Sequence, residues 1–144
     1  MEKRKTVLLE SPYAGDTPEK VQENIEYAQK AIKDCLERKE APFASHLIYT
    51  QALDDNVPSE RELGIKAWLV FSQIVDKIVV YIDKGISDGM IKGILYHKSL
   101  WKDIEYRSIK YGLDKKKAIE KEKEDIKQMW QNIKEWDFTL SENI

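Results

Sequence analysis

Between Asp76 and Met90 the chain reads Asp-Lys-Ile-Val-Val-Tyr-Ile-Asp-Lys-Gly-Ile-Ser-Asp-Gly-Met. The run Ile78–Ile82 is apolar and mostly β-branched, the composition of a buried strand. Lys84-Gly85 breaks it. Ser87 then has the side chain to cap a helix, and Asp88 sits favourably in the first turn. A strand, a tight turn and a helix start leave backbone N–H groups pointing outward, which makes an anion or polar-ligand site.

The rest of the chain repeats this alternation. Thr6–Glu10 reads as a strand, central because it is almost wholly apolar. Ser11-Pro-Tyr-Ala-Gly15 is a turn, and Thr17-Pro18 an N-cap followed by Pro at the first helical position. Val21, Ile25, Ala28, Ile32 and Cys35 or Leu36 recur at helical spacing, which predicts a helix over 18–38. Ala41–Ser45 reads as a short second strand with Pro42 at a sheet edge. Residues 46–57 read as a long connection. Ser59-Glu-Arg-Glu62 has the form of a capping box that opens a helix to about Gln73, with Leu63, Ala67, Val70, Phe71 and Ile74 on its apolar face. A helix over 88–98 and an edge strand over 103–107 follow. Residues 114–136 predict a long charged helix with Ile119, Ile126, Trp130 and Ile133 on one face.

Strands alternating with helices imply a parallel sheet covered on both faces. The expected fold is therefore α/β, a three-layer flavodoxin-like (Rossmann-like) sheet with an additional long C-terminal helix. Residues 1–113 would form the α/β domain. Residues 114–144 would pack on it or on a partner subunit. In such sheets ligands bind beyond the carboxyl ends of the strands. Ser11–Gly15, Ser45–His46 and Asp83–Ser87 should then meet in one cleft.

Composition narrows the function. The formal net charge is −2, so no global field draws nucleic acid or an anionic membrane. The single Cys35 excludes an internal disulfide and a Cys-rich metal site. The two histidines, His46 and His97, are far apart in sequence, so a His-based metal site is not expected; no cofactor is expected either. No long apolar segment marks a signal peptide or membrane span, and a cytoplasmic location is the expectation.

Within the predicted cleft, Ser11, Tyr13 and Gly15 offer backbone N–H groups and a ring that can stack on a planar base. His46 follows a strand end. Arg61 can pair with a carboxylate or phosphate. Asp83 lies at a strand's carboxyl end, where it can bind a hydroxyl. Ser87, Gly89 and Met90 form the helix start. Each has a plainer use as turn, cap or solvated charge.

Taken together, Ser11-Pro-Tyr-Ala-Gly15, Asn24, Pro42…His46-Leu, Pro58-x-x-Arg61-x-x-Gly64 and Asp76…Val80-Tyr…Gly85-Ile-Ser-x-Gly-Met90 resemble the nucleoside 2-deoxyribosyltransferase-like superfamily. The similarity is to its small phage and Firmicutes branch, the DUF4406/DUF7768-like proteins, and it spans about residues 5–107. It implies a flavodoxin-like sheet, a nucleoside or nucleotide cleft, and subunits that associate as homo-oligomers. Enzymes of the superfamily carry a nucleophilic Glu in the pattern Ser-x-Gly-Met-x-x-Glu-Ile. Here that pattern reads Ser87-Asp88-Gly89-Met90-Ile91-Lys92-Gly93-Ile94. Gly93 cannot attack or stabilise a sugar cation.

Three functions follow as expectations. The first is a binder of a nucleotide-derived small molecule that has lost its catalytic Glu, such as a phage-type sponge for a nucleotide immune signal. The second is an N-glycosidase or deoxyribosyltransferase that uses Asp83 or Asp88 instead. The third is an inhibitor that grips a host or defence protein through the C-terminal helix.

Overall fold

The structure is a computed structural model that describes residues 2–110 and, beyond them, Glu120, Glu124 and Lys127. The helix expected over 114–136 and the tail to 144 lie almost wholly outside the described residues.

Among the described residues four strands pair in parallel: β1 (Thr6–Glu10), β2 (Ala41–Phe43), β3 (Lys77–Tyr81) and β4 (Ile104–Arg107), in the order β2-β1-β3-β4. β1 and β3 are central, and their apolar runs are buried on both faces. β2 and β4 are the edges, where the missing N–H of Pro42 and the polar Glu105 are tolerated. Helices α1 (Pro18–Glu37), α2 (Ser45–Ala52), α3 (Pro58–Ile74) and α4 (Asp88–Ser99) complete the α/β architecture. No helix among the described residues is long and apolar enough to cross a membrane.

The period of two along each strand sorts side chains into two cores. Val7, Leu9, Val79 and Tyr81 pack with Tyr27, Ala31 and Cys35 of α1. Leu8, Ile78, Val80, Ile82 and Tyr106 pack with Met90 and Ile94 of α4, and Trp68 of α3 joins them. Register places Glu10 beside Val80, so its side chain leaves the sheet on the α3/α4 side. Asp83, with the parity of Val79 and Tyr81, leaves toward α1. Under the sheet, Arg107 is fully buried and forks onto Glu40 at 2.6 and 2.7 Å, with Glu105 at 2.8 Å. Burial alone would raise the Glu105 carboxyl, but Arg107 and Lys77 hold it down to about 2.

Local chemistry explains the helix starts. Thr17 Oγ1 accepts from Lys20 N at 3.1 Å, with Pro18 at the first helical position. Ser87 Oγ accepts from Met90 N at 3.2 Å. Gly85, at φ +81°, makes the turn after β3.

Three expectations need correction. The connection over 46–57 contains α2, which begins at Ser45 and so also shortens β2 to Phe43. Its sequence, Ser-His-Leu-Ile-Tyr-Thr-Gln-Ala, has no side-chain cap and a weak apolar stripe, so periodicity does not disclose it. The Ser59–Glu62 box does not cap α3. That helix starts at Pro58, whose fixed φ and missing N–H suit the first position, with Val57 as an uncapped N-cap. The apolar face of α3 is also rotated. Leu69 and Ser72 are buried, whereas Leu63, Val70 and Ile74 are more than half exposed. α3 carries apolar residues on most of its circumference, so spacing alone does not choose the side that meets the sheet.

Candidate functional site

The carboxyl ends of β1 and β3 open into a cleft of about 490 Å³ between α2, α3 and α4. Apolar surface dominates its lining, through Tyr13, Tyr49, Ile65, Trp68, Leu69 and Tyr96. Its polar groups are Ser11, Ser45, His46, Thr50, Arg61, Ser87 and Lys92, with Glu10, Asp55, Glu60 and Asp88 as the acidic ones. A volume of this size matches small-molecule clefts, for which about 300–1,000 Å³ is usual.

Each wall is placed by a local device. The turn after β1 is pinned by Asn24 of α1, whose amide donates to the carbonyls of Tyr13 at 3.0 Å and Ala14 at 3.2 Å. Ser11 is buried, and its Oγ lies 2.7 Å from His46 Nε2 on the first turn of α2. Burial pushes the His46 imidazole below its usual range, against the opposing pull of Glu10. Among the described residues no side chain is hydrogen-bonded to the other ring nitrogen of His46.

At the start of α4 the Met90 N–H is taken by Ser87 Oγ and the Ile91 N–H by the Ser87 carbonyl. The N–H groups of Asp88 and Gly89 precede the first helical bond and have no acceptor within the helix. A Cβ on Gly89 would meet nothing within 4 Å, so that backbone is open to a ligand. Arg61 is exposed on the first turn of α3 and forms no ion pair among the described residues.

Two of the expected site residues are elsewhere. Gly15 packs against α1, where a Cβ would come within 2.6 Å of Lys20, and it lines a smaller neighbouring hollow. Asp83 does not line the cleft. Its Oδ1 accepts from Tyr27 Oη at 2.6 Å and Ile109 N at 2.9 Å, and its Oδ2 from Ser108 Oγ at 2.6 Å and Lys110 N at 2.8 Å. Burial works to raise this carboxyl. The hydrogen bonds from Ser108, Tyr27 and the backbone outweigh it and hold the group below its usual range. Asp83 therefore ties β3, α1 and the segment after β4 together. Ser11, Tyr13, His46, Arg61, Ser87, Asp88, Gly89 and Met90 do share the cleft.

Glu10 is the residue that the sequence reading missed. It ends β1, is 9% exposed, and lines the cleft. Its Oε1 lies 3.2 Å from Nε2 of the fully buried His97, one turn beyond Gly93 on α4. Oε2 has no hydrogen-bond partner among the described residues, and it is not one of their enclosed, unpartnered polar atoms, so it is open to the cleft. His97 Nδ1 is enclosed and without a partner among the described residues, so Nε2 is the ring nitrogen that reaches Glu10. A Cβ at Gly93 would stand 3.2 Å from two ring atoms of Trp68 and 3.5 Å from Glu10 Oε1. The space at position 93 is thus filled by Trp68 and flanked by the Glu10 carboxylate. The missed signal was a charge at the carboxyl end of an otherwise buried central strand.

Among the described residues no three His, Cys, Asp or Glu side chains group as metal ligands. A search of curated proteins finds no match. The family model described as Domain of unknown function (DUF7768) matches residues 5–107, which include all four strands and every residue that lines the cleft. The chain belongs to the DUF7768 family.

Proposed function

We propose that the cleft binds a nucleoside or nucleotide derivative. The observation that carries this reading is the combination of aromatic surface with an anion site in one cavity. Tyr13, Tyr49, Trp68 and Tyr96 offer ring faces and edges for a base. Arg61 and the two open N–H groups of α4 offer donors for a phosphate at the same mouth. Glu10 and Asp88 offer acceptors for sugar hydroxyls. The resemblance to the nucleoside 2-deoxyribosyltransferase-like superfamily supports the same ligand class. Gly93 favours release of the ligand unchanged, as a sponge for a nucleotide signal requires.

Calorimetry and thermal-shift measurements with nucleosides, nucleoside monophosphates, cyclic nucleotides and ADP-ribose derivatives test the binding. Saturable binding is expected, and Arg61→Ala should weaken phosphorylated ligands more than the matching nucleosides. No binding to any member of the panel at millimolar concentration would end this reading.

A further inference from the structure

We propose that the outer face of α3, together with Trp101, is a two-fold interface between two copies of this chain. The proposal is independent of what the cleft binds.

α3 is the middle helix of its layer. On one side Gly64 faces Tyr49 and Leu53, and on the other Gln73 Nε2 donates to Tyr96 Oη of α4 at 3.4 Å. Its inner side gives Trp68 and Leu69 to the protein. A second apolar stripe faces out. Leu63, Ala67, Val70 and Ile74 follow the spacing i, i+4, i+7, i+11, which keeps them in one line along a helix. Leu63 is 60%, Val70 56% and Ile74 68% exposed. None of the four lines the cleft. One exposed leucine is ordinary, but a continuous apolar stripe with a charged rim marks an interface. The rim here carries the Glu62–Lys66 ion pair at 3.1 Å.

Trp101 extends the stripe. Lys102 Nζ donates to the carbonyls of Gln73 and Val75 at 2.7 and 2.8 Å, so the turn after α4 stands at the Ile74 end. Trp101 is 94% exposed there, at φ +57°. Lys102 N donates to the His97 carbonyl at 3.1 Å and Trp101 N to the Lys98 carbonyl at 3.0 Å, the two bonds of a Schellman motif. Trp101 thus occupies the left-handed position where glycine is usual. Its backbone is strained and its ring stands in water, and nothing within the described monomer offsets either cost. Burial of the ring against another molecule does.

Three arguments make that molecule a second copy. A two-fold contact brings one patch against itself, so the patch must be self-complementary. The stripe is, because its side chains read large, small, medium, large. Antiparallel α3 helices that cross midway between Ala67 and Val70 set Leu63 against Ile74 of the partner subunit, and Ala67 against Val70 of the partner subunit. The small residue lies at the crossing, where the helices approach most closely. Trp101 at the Ile74 end of one copy then meets the opposite end of the other copy's stripe. Second, the area is enough. The Trp101 ring and the three exposed aliphatic side chains offer about 400 Å² per copy. At the usual apolar share of about 60%, this corresponds to about 1,300 Å² in total, within the range of specific interfaces. Third, the chain's own remainder starts from the other side. Ile109 packs in the α1-side core and Lys110 N donates to Asp83 Oδ2, so residues 111–144 begin at the sheet face opposite α3.

The test is sedimentation and light scattering of the full chain from micromolar to millimolar concentration. A monomer–dimer equilibrium is expected. Val70→Glu sets like charges across the contact and should give a folded monomer at every concentration. Trp101→Gly suits the left-handed backbone, so it should keep or raise the Tm of the monomer while weakening the dimer about 30-fold or more. Leu63→Cys and Ile74→Cys chains, mixed and oxidised, should join by a disulfide, whereas Leu63→Cys alone should not; Cys35 is buried and does not interfere. A wild type that is monomeric throughout would overturn the proposal. If Val70→Glu then lowered the Tm, the stripe would be covered within the monomer instead. A dimer unchanged by both Val70→Glu and Trp101→Gly would overturn it too, because its interface would lie elsewhere.

Discussion

Glu10 and Asp83 are both acids at the carboxyl ends of the two central strands, and they do opposite things. Asp83 accepts four hydrogen bonds and has no oxygen left for a ligand. Glu10 has one oxygen held by His97 and one open to the cleft. The difference comes from parity. Glu10 has the register of Leu8 and Val80 and emerges toward α3 and α4. Asp83 has the parity of Tyr81 and emerges toward Tyr27 of α1. A strand-end carboxylate is therefore a site residue only if its face of the sheet is the one where the helices part.

The largest expected effect sharpens the structural half of this contrast. Asp83→Ala removes the carboxylate that accepts from the Tyr27 and Ser108 hydroxyls and two backbone N–H groups, and should cost about 3 kcal/mol in urea unfolding at pH 7. Because the folded pKa of Asp83 lies below the unfolded value, its contribution is present above that unfolded value, about 3.9. It is lost as pH falls through the folded pKa. The gap between wild type and variant should therefore narrow below about pH 4. An equal gap at pH 7 and pH 3 would mean that the charge of Asp83 contributes nothing.

Next in size, Gly93→Glu would press a Cβ on the Trp68 ring and set a second acid beside Glu10. A loss of about 2 kcal/mol is expected, seen as a lower Tm. An unchanged Tm would show that position 93 is not filled by Trp68. Glu10→Gln should have a smaller effect on stability, within about 1 kcal/mol, because the amide oxygen can still accept from His97. A loss as large as that of Asp83→Ala would make Glu10 a structural staple as well and erase the contrast.

The smallest effect concerns His46. Burial holds its folded pKa below the unfolded value of about 6.5, so the unfolded chain takes up the proton first. Stability should decline gently as pH falls from about 6.5 towards the folded pKa, and His46→Gln should flatten that part of the profile. A wild-type profile that rises on acidification there would contradict the assignment.

Much of the fold was legible in the residues. The apolar runs at β1 and β3 marked central strands, and Thr17-Pro18 and Ser87 marked helix starts. Those features are local: strand burial writes continuous apolar residues, and a cap needs only a side chain within one turn. α2 was hidden because its eight residues have neither a cap nor a clear stripe. The outward face of α3 was misjudged because apolar residues surround that helix.

The sequence by itself determined the parallel α/β order, the two inner strands and the turns that build the cleft. Its pattern also determined that no carboxylate stands at position 93. Only the tertiary structure decided which acid faces the cavity. Side-chain parity divides strand-end residues into two sets, but which set meets α4 rather than α1 depends on how the crossovers wrap the sheet. That wrapping closed the oxygens of Asp83 and left one oxygen of Glu10 open. It also placed Glu10, Trp68, Gly93 and His97 together, residues that lie on three elements and share no local motif.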